Sequence, residues 1–249
     1  MYNRGTRMKS GENNLGNSQK RQTGLINKGI IQQTEKIYPD EIELILTSTN
    51  LMRRITSVSK DASKEISKKP NLYAVMNLFA RSRELVHFST VSMMNAGYSP
   101  TKVLSRAALE NTLCMRLFNE KPALAQKWFT NPDEFRKEWT PQNIRDELFL
   151  RDSSLWKSYN HFYWRLCDYS HPSFKGWIEL IHERSVLWCP IFNEDFASEC
   201  IGLIFFIIVH SLQQFAEAFK EWLDPQLVKE VNNIGLQVSK MIRRHFQVK

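Results

Sequence analysis

From about residue 37 onward, apolar side chains recur at helical spacing through most of the chain. The stretch opened by Asp40 places Ile42, Ile45, Leu46, Leu51 and Ile55 on one side, which predicts a helix capped by Asp40 and stopped near Lys69 by Pro70. Leu72, Val75, Met76, Phe79, Leu85, Val86 and Phe88 predict a second helix. It ends at Asn95-Ala-Gly97, where the glycine suits a left-handed cap. Ser99-Pro100 restarts the chain as a cap followed by a proline in the first turn. The helix from Lys102 to Phe118 turns Val103, Leu104, Ala107, Ala108, Leu113 and Leu117 inward.

Shorter elements follow. Lys121-Pro122 and Asn131-Pro132 bracket a helix holding Trp128 and Phe129, and Thr140-Pro141 begins another that runs to about Leu150. Ser153 or Ser154 caps an aromatic helix through Trp156, Tyr159, Phe162, Tyr163 and Leu166. It must stop near Ser170, because the residue before Pro172 is pushed out of the helical region. Residues 176–190 fit helix and strand equally, and a short hairpin is one expectation there. A long helix from about Asn193 to Trp222 and a final one begun by Asp224-Pro225 complete the chain. With few strand signals and no internal repeat, the fold class is all-α: one bundle-like domain over 37–249.

Residues 1–36 break this pattern. They are rich in Asn, Gly, Ser, Gln and Lys with little periodicity, and are read as a flexible leader. Charge sharpens that division. The whole chain carries a formal charge of +8, and the leader's seven basic residues against Glu12 and Glu35 supply a surplus of five. The body is therefore only mildly basic, and polyanion binding is an expectation for the leader more than for the core.

Cys114, Cys167, Cys189 and Cys200 show no Cys-x-x-Cys pair, which suits reduced thiols in a cytoplasmic protein. No signal-peptide pattern opens the chain. The nine-residue apolar run Ile201–Val209 falls well short of the about 20 residues needed to span a bilayer, so it is expected to be a buried core helix and no membrane partner is expected. Phosphate-cradling glycine loops are absent, as are His-Glu-x-x-His and Gly-x-Ser-x-Gly. His161, His171 and His182 are spaced ten and eleven residues apart, too far for zinc ligands on one helix. No cofactor and no metal are expected.

The remaining chemistry lies in Arg165-Leu166-Cys167-Asp168-Tyr169-Ser170-His171. If Pro172 unwinds the end of the helix, Arg165 and His171 can face one cleft. Histidine titrates near neutrality and can move the proton of a 2′-hydroxyl or a 5′-oxygen. Arginine offers planar donors to phosphate oxygens as charge builds. Such a pair suits RNA cleavage without a metal ion. Asp168 can fix the imidazole or pair with Arg165. Arg106 and Glu110, at i and i+4 on a largely apolar helix, are either an ordinary ion pair or support for this site, with Glu110 orienting His171 and Arg106 binding phosphate. Tyr169 and Tyr163 are then candidates for stacking on a base. Equally, Arg165 can pair with Asp168 on the surface while His171 contacts a helix-end carbonyl. Arg81 and His87 repeat the six-residue spacing in mid-helix, where their side chains diverge.

An arginine followed after several residues by histidine, near a helix end in an all-α domain, resembles the HEPN superfamily (higher eukaryotes and prokaryotes nucleotide-binding). Leu166 stands where that family favours a polar residue. The resemblance implies a metal-independent endoribonuclease of a bacterial defence or toxin–antitoxin system, with Arg165 and His171 catalytic and the site completed across a homodimer. It also implies a protein partner that restrains toxicity. Ser105-Arg-Ala-Ala-Leu-Glu110 and Tyr169-Ser-His-Pro-Ser173 are also similar to uncharacterised bacterial helical proteins, a likeness over roughly residues 70–220 that implies no activity. Two other readings need no catalysis: a helical module that binds nucleic acid or protein, and a DNA-binding regulator using the basic last helix.

Overall fold

The computed structural model describes residues 28–61, 63–149, 153–170, 181–182, 185–186 and 191–246. The fold is all-α. Helix α1 covers residues 28–37 and is followed by α2 (Pro39–Asp61), α3 (Ser63–Ile66), α4 (Pro70–Met94) and α5 (Tyr98–Glu120). Three short helices come next: α6 (Ala123–Thr130), α7 (Pro132–Glu138) and α8 (Pro141–Leu148). Then come α9 (Ser154–Ser170), strands β1 (Ile181–His182) and β2 (Ser185–Val186), α10 (Glu194–Ala218) and α11 (Pro225–Phe246). The strands pair antiparallel, Ile181 with Val186 and His182 with Ser185, so a short hairpin does lie within 176–190.

Of the expected caps, those of Thr140 and Ser153 form, whereas Ser99 lies inside α5, whose N-cap is Gly97. Thr140 Oγ1 accepts from the Asn143 amide at 3.2 Å, and Ser153 Oγ from the Trp156 amide at 3.1 Å. Asn193 Oδ1 accepts from the Phe196 amide at 3.0 Å, which starts α10. These satisfy amides that have no partner inside their helices.

Helix α10 occupies the centre. Every residue from Ile201 to Val209 is buried, under α4, α5 and α11. A helix apolar on all sides needs neighbours all round, and this one has them. It is also long and apolar enough to cross a membrane, with 72% of its most apolar window buried within the protein. Gly202 permits the tightest of these contacts, because a Cβ there would stand 2.5 Å from Cε2 of Phe246 on α11. Buried hydroxyls also tie α5 to α10, with Thr112 Oγ1 and Ser211 Oγ 2.9 Å apart.

Three boundaries differ from the sequence reading. The leader does not extend to residue 36: residues 28–37 are helical, with Ile30, Thr34 and Tyr38 buried one turn apart. Three inward positions among polar neighbours are too sparse to register as periodicity. Asp40 does not cap its helix but lies in the first turn of α2, which opens at Pro39. The turn before α5 places Ala96, not Gly97, in the left-handed region at φ 56°. Gly97 serves by closeness instead, its amide donating to Ser92 O at 2.8 Å where a Cβ would sit 3.1 Å from that oxygen.

Candidate functional site

Lys102, Arg106 and Glu110 follow one another at four-residue intervals on α5, which places them along one side at steps of about 6 Å. Lys102 meets Tyr169 and Arg106 meets Tyr163, so α9 runs back along α5 in the opposite direction. The stripe of charge on α5 thus faces a stripe of tyrosines on α9.

At one end of this seam, Lys102 is fully buried. Its Nζ stands 3.7 Å from the centroid of the Tyr169 ring and 5.1 Å from that of Phe196. It pairs with Glu199 Oε2 at 2.9 Å, while Arg165 Nη2 reaches Oε1 of the same carboxylate at 2.6 Å. The Glu199 side chain is 14% exposed and that of Arg165 is 42% exposed. Glu199 thus bridges the two cations. A lysine with no solvent contact requires its counter-ion and the aromatic faces around it.

Further along, Arg106 Nε donates to Glu110 Oε1 at 3.0 Å and Arg106 Nη2 to the Tyr163 hydroxyl at 3.1 Å. The Tyr163 hydroxyl in turn lies 3.4 Å from Glu110 Oε1. Burial pushes the Tyr163 pKa up, with Glu110 and Cys167 adding to the shift. Arg106 is held above its ordinary value: burial opposes this, but Tyr163, Cys167 and Glu110 outweigh it. Against the same phenol, Arg145 of α8 is 1% exposed and lies 4.0 Å from the ring centroid. Burial pushes its pKa down, and its Nε and Nη1 have no acceptor among the described residues.

The sequence-predicted residues divide accordingly. Arg165 is brought to Glu199, and Arg106 to Glu110 and Tyr163, on one seam but in two clusters. The Tyr169 ring carries Lys102 rather than standing open for a base. Asp168 belongs to α9 with its side chain outside the described residues, and His171 lies outside them altogether. Of the rival set near Arg81 and His87, Arg83 pairs with Glu84 and His87 packs beside Phe88.

Lys102, Glu199 and Arg145 were not singled out by sequence reasoning. Lys102 offered a faint signal, since it lies beside Thr101 and Ser105 on the buried side of α5. Glu199 stands immediately before Cys200 and the apolar run. Nothing in linear spacing joins positions 102 and 199. No group of three or more His, Cys, Asp or Glu that could hold a metal occurs among the described residues. Comparison of the chain with family models, curated proteins and solved structures finds no match.

Proposed function

We propose that the Arg165 end of this seam is a phosphodiester site and that the chain is a metal-independent endoribonuclease of the HEPN kind, in a bacterial defence or toxin–antitoxin setting. The observation that carries this reading is the mounting of Arg165. Its guanidinium is half-exposed, yet Glu199 fixes it at 2.6 Å, and buried Lys102 saturates the other oxygen of that carboxylate. An exposed surface pair would be loosely held. Here the guanidinium is pre-oriented, with its planar donors suited to an anion. His171 follows one residue beyond the described end of α9 and supplies the proton transfer.

The test is cleavage of RNA in EDTA by the wild type, Arg165→Ala, His171→Ala and Glu199→Gln. Cleavage lost in the first two variants and reduced in the third, with sedimentation showing a homodimer, supports the proposal. Equal cleavage by all four assigns the activity elsewhere. A second reading, nucleic-acid or protein binding without catalysis, draws on the same site. Glu199 offsets much of the Arg165 charge, and the Tyr169 face is taken by Lys102. RNA retained by the wild type without cleavage would favour that reading.

A further inference from the structure

Helix α9 buries Tyr159, Phe162, Tyr163 and Leu166 on one side and turns the other to solvent. At about 100° per residue, Lys157, His161, Trp164 and Arg165 fall within about a third of the helix circumference. Lys157, His161 and Trp164 are exposed and Arg165 is half-exposed. The stripe runs about 12 Å along the axis and ends at the guanidinium that Glu199 holds. From Ser153 to Cys167 the chain contains no acidic residue, so this stretch carries positive charge alone.

Trp164 is 53% exposed, yet its ring is oriented: Nε1 donates to Asn160 Oδ1 at 3.0 Å, one turn back on the same helix. Its contact with the Tyr163 ring is edge-on, at 6.0 Å between centroids and 78° between planes. The tyrosines that the sequence offered for stacking are engaged, because cations stand over both Tyr163 and Tyr169. Trp164 is the aromatic side chain of α9 that still offers surface to a ligand. Among the described residues, neither Lys157 nor His161 is held in an ion pair. An oriented indole set among unpaired cations is the arrangement that binds single strands, with bases stacking on the ring while the cations follow the phosphates. Inside a duplex both faces of every base are occupied, so the strand that fits is unpaired.

We propose that the outer side of α9 is a track for single-stranded RNA, with one base stacked on Trp164 and the backbone running between Lys157 and Arg165. This rests on the reading of Arg165 as a phosphate ligand, whether or not the strand is then cleaved. Trp164 and Arg165 are consecutive, so the stacked base lies next to the phosphate that the guanidinium receives. Recognition by stacking and charge reads the unpaired state of the strand and little of its sequence.

Fluorescence anisotropy of a labelled 2′-O-methyl oligonucleotide tests this on the full chain, because methylation removes the attacking hydroxyl and the strand stays intact. Trp164→Ala should weaken binding about tenfold or more, and Trp164→Phe should restore most of the affinity. A duplex of the same sequence should bind the wild type several times more weakly than the single strand. Lys157→Ala should lower the slope of log affinity against log salt by about 0.7. Trp164 and Lys157 are exposed, and circular dichroism checks that each variant folds. This pattern without cleavage of ordinary RNA would support the track and remove the endoribonuclease reading alone. No saturable binding, affinity indifferent to Trp164→Ala, or a duplex bound as tightly as the single strand would overturn the proposal. So would a Trp164→Ala variant that loses a dimer in sedimentation while keeping its RNA affinity, since the indole would then serve a protein contact.

Discussion

Lys102 is fully buried and pairs with Glu199 at 2.9 Å. Removing the carboxylate takes the counter-ion at 2.9 Å from a fully buried ammonium, whereas replacing both charges with neutral groups lowers the demand. Glu199→Ala should therefore lower stability by about 3 kcal/mol, while Lys102→Met with Glu199→Gln should cost far less. Chemical denaturation of the two variants measures this, and equal losses would show that packing, not charge, decides. Arg145 offers the complementary case. With two donors lacking acceptors, its charge is expensive where it stands, so Arg145→Met should leave the melting temperature unchanged or raise it.

His210 links a residue to pH. Its ring packs 5.0 Å from that of Tyr159 and 4.4 Å from that of Phe206, and burial, with Arg116 adding, pushes its pKa down to about 4. The unfolded chain takes up this proton near 6.5, the folded protein only near 4. The contribution of neutral His210 is thus complete above about 6.5 and is lost as pH falls toward 4, up to about 3 kcal/mol in all. Denaturation at a series of pH values should show this slope, and His210→Gln should flatten it.

At the scale of elements, the junction of α10 and α11 hangs on Gly202. The α11 stripe Leu227, Val231, Ile234 and Val238 lies buried, and Phe246 closes over the glycine. Gly202→Leu should displace Phe246 or the end of α11 and cost about 1–3 kcal/mol, the usual range for overpacking. An unchanged melting temperature would mean that the end of α11 yields freely. The stops and starts of the elements were legible because each has a local cause. Thr140, Ser153 and Asn193 satisfy free amides within three residues of themselves. Less legible were the cases where a distant partner decides. Helix α1 is anchored through Ile30, Thr34 and Tyr38, and the Tyr38 hydroxyl donates to the carbonyl of Glu194 at 3.0 Å, a partner no local window includes.

For the whole molecule, the position of α1 also relocates the basic surplus. Lys28, Glu35 and Lys36 belong to the helix, which leaves residues 1–27 with five basic residues and Glu12, a surplus of four. Deleting residues 1–27 should weaken RNA binding and lower the slope of affinity against salt by about 3 to 4, if those charges release counterions. An unchanged slope would assign binding to the helical body. The sequence by itself determined the all-α class, several helix starts and the buried apolar helix, because helical period, proline stops and capping side chains act within a few residues. It also marked Arg165, Arg106 and Glu110 as side chains with chemistry to offer. Only the tertiary structure decided what each meets. Positions 102, 165 and 199 come together because α5, α9 and α10 pack side by side, and which carboxylate neutralises which cation is set by that packing, not by distance along the chain.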